Sequence, residues 1–240
     1  MTLFYFMFFA ESLNAARQFL AIPFCLLSLV ELRRNNILSC VLFMFVAYGF
    51  HHSSLFFLII FLLYYLCVHH YNLMKRRSTL VVVIITIVTS IIFFSQIMIS
   101  LVGLGLADIK YLSRYASGEM YGTNMPMSLF AINGFNFMML IWAMGKVRKN
   151  RFIVFSLYVM LLGLLFCFTG LISTFTVRLC FYFMAVSLIC LAYLIKKSSY
   201  IFSIVVYSFY VFYWFMVVVF ANLGNTYPYK SKILSSILMI

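Results

Sequence analysis

Eight long apolar runs follow one another along this chain, and a cluster of basic residues closes every second one. A bilayer core of roughly 30 Å takes about 20 helical residues to cross, with every backbone group bonded inside the segment. The runs at residues 13–32, 37–50, 54–72, 79–102, 129–145, 152–173, 178–195 and 199–221 therefore read as helices. Arg33-Arg34, Lys75-Arg76-Arg77, the stretch from Lys146 to Arg151, and Lys196-Lys197 follow the first, third, fifth and seventh runs. Lys and Arg collect in cytoplasmic loops. Putting all four clusters there gives eight consistent crossings, with the chain's start and the Lys230/Lys232 tail on the other side. The expected fold is all-α: a polytopic transmembrane helical bundle of about eight segments, a single integral membrane domain over residues 1–240. One long external loop, about residues 103–128, is too long for a simple turn.

Composition agrees, with 66% hydrophobic and 9% charged residues, against roughly a quarter charged in soluble domains. A net charge of +13 would suggest nucleic acid in a soluble protein. Here the charge falls in the loop clusters, so membrane lipids are the expected partner and nucleic acid is excluded. Six cysteines (Cys25, Cys40, Cys67, Cys167, Cys180, Cys190) stand singly in apolar stretches with no CxxC pair. They indicate neither a zinc site nor a disulfide framework, and read as small lipid-facing or packing residues. Residues 1–10 are apolar but lack the basic start and cleavage site of a signal peptide. They are too short to span, and the expectation is a chain that begins partway through a longer architecture.

The second run, residues 37–50, rises only about 21 Å before the polar string His51-His52-Ser53-Ser54. That string should lie below the outer surface, where a polar break is tolerated only against protein or a water-filled cavity. Arg17 falls at the outer end of the first segment and Arg178 at the outer end of the seventh. A charge at a helix centre costs about 2.5 to 3.5 kcal/mol on the insertion scale, so such residues face a cavity or reach for the interface. Sharing one leaflet with the His51 string favours a common cavity. Asn14, Arg17 and Ala21 share a face by their spacing. A planar guanidinium grips phosphate oxygens bidentately, so two arginines in an outer cavity point to a lipid phosphate or pyrophosphate.

His51 and His52 cannot both face one cavity, because adjacent residues point in different directions. Whichever faces inward is a candidate to donate to phosphate or relay a proton. His69 and His70 lie one segment away, at the opposite membrane face, which argues against a shared metal site; beside Lys75 they read as interfacial. Asp108 and Glu119 are two of only four acids, and either is a candidate general base for an acceptor hydroxyl. The alternative is a solvated loop charge. Glu11 and Glu31 read as ordinary interfacial residues. In the external loop Arg114 and the tyrosines Tyr111, Tyr115 and Tyr121 offer charge and sugar-stacking surfaces, although tyrosine also anchors at interfaces.

The stretch Asn14-Ala-Ala-Arg17-Gln18-Phe-Leu-Ala21, a basic hairpin, and then Phe50-His51-His52-Ser53 resembles the bacterial O-antigen and exopolysaccharide polymerase family, in its EpsG-like branch of Wzy proteins. The family pattern is an N-x-x-R-Q-x-x-A helix followed by F-H-x-S. Arg178-Leu-Cys-Phe-Tyr182-Phe is similar to the family's R-x-x-x-Y-F helix start, and Lys110 to Tyr115 to its K-Y-x-x-Y loop with altered spacing. The resemblance covers nearly the whole chain, while family members usually carry further N-terminal helices.

It implies a metal-independent glycosyltransferase with no cofactor, in the bacterial inner membrane. Such an enzyme polymerises undecaprenyl-pyrophosphate-linked repeat units into O-antigen or exopolysaccharide at the periplasmic face, with chain-length regulator and flippase proteins as partners. Arg17 and Arg178 would hold pyrophosphate, His51 would orient substrate or relay a proton, and Asn14, Gln18, Arg114, Tyr115 and Tyr182 would contact substrate. Two other readings stay open. A flippase or transporter of lipid-linked oligosaccharides would also use cavity arginines, but the halves of the chain show no internal repeat. An O-antigen ligase would use the same donor.

Overall fold

A computed structural model describes residues 16–93, 127–145, 150–168 and 178–220. Among the described residues it is helical, without strands. The helices are α1 (Ala16–Arg33), α2 (Ile37–Phe50), a 3-10 stretch (His52–Phe56), α3 (Phe57–His69), α4 (Tyr71–Met74), α5 (Arg77–Ile92), α6 (Met127–Met144), α7 (Arg151–Cys167), α8 (Cys180–Lys197) and α9 (Tyr200–Trp214), which runs into a π-helical stretch, Phe215–Phe220. Each of the eight apolar runs thus holds a helix. Four stretches are long and apolar enough to cross a membrane: His52–His69, Met127–Met144, Cys180–Lys197 and Tyr200–Val217. The helices Ile37–Phe50 and Arg151–Cys167 are apolar but shorter. Helix α1 has the 18 residues of the four spanning stretches but carries Arg17, Glu31 and Arg33. The chain divides into two compact units, residues 1–55 with 192–240, and residues 56–191.

In the first unit α1 and α2 form a helical hairpin. Helix α1 buries Gln18, Ala21, Ile22, Cys25, Ser28 and Leu29, a stripe at three- and four-residue spacing. The reversal at Arg34 to Asn36 is tight. Asn35 takes φ +59°, a left-handed conformation that asparagine tolerates better than most residues. Asn36 then caps α2, its side-chain Oδ1 accepting from the Ser39 N–H at 3.4 Å. Glu31 ties the turn together: Arg34 Nη1 donates to it at 2.8 Å, and Asn36 Nδ2 at 3.0 Å. Its side chain is only 14% exposed, so Glu31 is a structural hub of the hairpin rather than an ordinary interfacial residue. Helix α9, in the same unit, buries Phe202, Val206, Tyr210 and Tyr213 on one stripe.

The second unit is held by polar groups set among apolar ones. Asn133 Nδ2, on α6, donates to the Leu129 carbonyl at 2.8 Å and lies 3.3 Å from Cys167 Sγ of α7. Asn136 Nδ2 reaches Ser187 Oγ of α8 at 3.3 Å. In hydrocarbon such side chains face the bundle interior and bond across helices, contributing about 0.6 to 2 kcal/mol each. Aromatic contacts fill the spaces between: Phe166 stacks on Phe183 at 5.1 Å, and Tyr64 meets Phe155 edge-on at 5.7 Å. All six cysteines are buried and unbridged, so they pack inside and do not face lipid.

Gly163 sits at the closest approach of this unit's helices. A Cβ there would come within 2.9 Å of Asn133 Oδ1 and 3.2 Å of Phe183 Cβ. Asn133 cannot yield freely because its amide nitrogen is already engaged. Gly163→Ala should destabilise the purified protein by about 1 to 3 kcal/mol, read as a lower thermal midpoint in detergent. Tyr158→Phe should cost about 1 kcal/mol in the same measurement, since the Tyr158 hydroxyl donates to the buried Met74 carbonyl at 2.9 Å.

Candidate functional site

The open end of the α1–α2 hairpin carries the first candidates. Phe24 of α1 stacks on Phe50, the last residue of α2, with ring centroids 5.5 Å apart. Helix α2 therefore stops alongside Phe24, seven residues, or roughly 10 Å, short of Arg17. The offset follows from the shortness of α2, fourteen residues against eighteen in α1. His51 leaves the helix in an extended conformation, φ −157° and ψ 117°. Its N–H donates to the Ala47 carbonyl at 3.0 Å, and its own carbonyl accepts from the Ser54 N–H at 2.9 Å. The backbone is thus pinned on both sides, at a break between two helical stretches.

The two histidines separate as their adjacency requires. His51 is half-buried, whereas His52 is exposed and stacks on Tyr48 at 4.7 Å. The inward candidate is His51. Arg17 is exposed on the flank of the α1 stripe, while Gln18, 2% exposed, lies on the stripe with Ala21. Of the residues grouped on one face from spacing, Ala21 is buried and Arg17 is not.

Arg178 is exposed in the turn that leads into α8, its carbonyl accepting from the Phe181 N–H at 3.2 Å. A cation just before a helix start opposes the macrodipole, a cost of about 0.3 to 1 kcal/mol. An anion at that helix end would be favoured by both the arginine and the helix dipole. Tyr182 is fully buried and meets Phe57 edge-on at 6.3 Å. It stands behind the Arg178 turn as a packing residue, one turn into α8. Asn14, Asp108, Arg114, Tyr115 and Glu119 lie outside the described residues, as does the external loop. Arg17 and His51 belong to the first unit and Arg178 to the second.

Ser54 ends the His51 string, and nothing in the sequence marks a role for it apart from that string. Its side chain is 0% exposed, and its hydroxyl has no hydrogen-bond partner among the described residues. Leaving such a group unsatisfied costs about 1 to 3 kcal/mol. A buried hydroxyl three residues from His51 is what a polar ligand or an ordered water would satisfy. Asn133 and Asn136 were also missed; as the amides of the fifth run, three residues apart, they were visible as one polar face. Their bonds make them interhelical ties. Among the described residues no three His, Cys, Asp or Glu side chains cluster as metal ligands.

The described chain is thus a helical membrane protein with a polar break and an exposed arginine towards one end of its first hairpin. A family model, the EpsG family, matches residues 1–231. The chain belongs to the EpsG family, and with it to polysaccharide biosynthesis. No curated relative matches it, and no solved structure does.

Ser54→Ala should leave the thermal midpoint unchanged or slightly raised, because it removes an unsatisfied polar group. A fall in polysaccharide output at unchanged stability would show that the hydroxyl serves a ligand. Unchanged output would make it only a packing residue.

Proposed function

We propose that this protein polymerises lipid-linked oligosaccharide repeat units, transferring a growing glycan from its undecaprenyl pyrophosphate carrier to the next repeat unit at the periplasmic face of the inner membrane. The observation that carries the reading is family membership across residues 1–231. It is supported by the F-H-x-S histidine, His51, at a polar break beside a helix that bears Arg17. Eight crossings with all four basic clusters cytoplasmic belong to the same proposal.

In this reaction the acceptor hydroxyl attacks the anomeric carbon of the donor glycan. The bond to the pyrophosphate oxygen breaks, and the lipid pyrophosphate departs with the electron pair. The leaving group is already a weak base and needs no acid to protonate it; the acceptor proton goes to a general base. Arg17 and Arg178 each bind pyrophosphate oxygens and stabilise the charge that develops as the bond breaks. His51 orients the substrate or takes up the acceptor proton, with Asp108 and Glu119 as the other candidate bases. The arrangement calls for neither a metal nor a nucleotide sugar. Gln18 lines the same helix end, and Asn14, Arg114 and Tyr115 complete the proposed substrate contacts.

The test is complementation of a polymerase-deficient strain, with its lipopolysaccharide separated by chain length. Restored long chains support the polymerase, whereas single repeat units attached to core would sink that reading. Arg17→Ala and Arg178→Ala should each lower polymer output by roughly 10² to 10³-fold while membrane insertion, followed by immunoblotting of membrane fractions, stays intact. Wild-type ladders from both variants would reduce the arginines to side chains that reach for the interface.

A further inference from the structure

Between α3 and α5 the chain turns through the four residues of α4. That turn is fixed from two directions, by the Tyr158 hydroxyl on the Met74 carbonyl and by Thr79 Oγ1 on the Leu73 carbonyl at 2.8 Å. Fixing it leaves a cavity of about 360 Å³, walled by His69, His70, Asn72, Arg76 and, from α7, Arg151. None of its lining residues is acidic. His69 is held against Tyr65 with ring centroids 4.5 Å apart. Arg151 is the first residue of α7, whose start is capped by Asn150 accepting from the Ile153 N–H at 3.0 Å. The helix end adds its partial positive charge to that of the two arginines.

Like Arg178, Arg151 is a cation at a helix start, which the macrodipole disfavours unless an anion is present. Two guanidinium forks, two imidazoles and an amide are a donor set for the several oxygens of phosphate. The cavity is larger than one ion needs, and exposed apolar side chains, Leu62, Tyr65 and Leu73, stand near it along α3 and α4. We propose that this cavity binds a phosphate oxyanion, carried by a phospholipid headgroup or free in solution. Basic pockets at the ends of membrane helices suit such headgroups. The site uses neither Arg17, His51 nor Arg178, and does not depend on the glycan-transfer reading.

The full chain in detergent is titrated separately with phosphatidylglycerol, phosphatidylcholine and inorganic phosphate. Binding is read by native mass spectrometry and by the shift in thermal midpoint. Wild type should bind phosphatidylglycerol or inorganic phosphate and prefer either to phosphatidylcholine. Arg76→Gln with Arg151→Gln should weaken that binding roughly thirtyfold, whereas Lys196→Gln with Lys197→Gln, an exposed basic pair that does not line the cavity, should leave it unchanged. Binding of phosphatidylglycerol alone identifies a lipid headgroup, and binding of inorganic phosphate identifies a free oxyanion. Should the glutamine pair fail to fold, Arg76→Lys with Arg151→Lys keeps the charge but loses the forks, and severalfold weaker binding is expected. Equal losses in the cavity and control variants, no preference over phosphatidylcholine, or undiminished binding by the lysine pair where the glutamine pair does not fold would overturn the proposal.

Discussion

A backbone in hydrocarbon has no water to bond, so every N–H and C=O must find its partner inside the helix or against protein. Where the described chain interrupts a helix at His51 it meets this demand within its own backbone, and that break carries the candidate site. At His51 the helix opens into an extended residue and closes again as a 3-10 turn. The opening is stitched by the Ala47 carbonyl on one side and the Ser54 N–H on the other. What remains unstitched there is one side-chain group, the buried Ser54 hydroxyl, which has no partner among the described residues.

The same constraint accounts for what hydropathy could tell. Helix α2 covers residues 37–50, the bounds read from sequence, because an apolar run flanked by Asn36 and His51 has a cap on one side and a polar break on the other. The positions of α6, α7, α8 and α9 were legible for similar reasons. The 3.6-residue period grouped Arg17 with Ala21 on one face but could not tell that Ala21 joins the buried stripe and Arg17 its exposed flank, since spacing alone does not fix the stripe's centre.

What stayed hidden depends on residues far apart in the chain. The bond from Tyr158 to Met74 spans 84 positions and that from Asn136 to Ser187 spans 51. No local pattern announces such a pair. Glu31 was misjudged because one carboxylate near a helix end resembles any other until the turn folds Arg34 and Asn36 back onto it. Tyr182 matched a family position yet is buried against Phe57, so a motif tyrosine can earn its place by supporting the backbone that presents Arg178. The cavity at Arg76 and Arg151 was invisible for the same reason: its two arginines come from different basic clusters, which a linear reading treats as separate loops.

The cysteines carry a last consequence. All six are buried and none is bridged, and Cys167 is further engaged with Asn133. Thiols react as exposed thiolates, so the folded chain offers an oxidant little to attack.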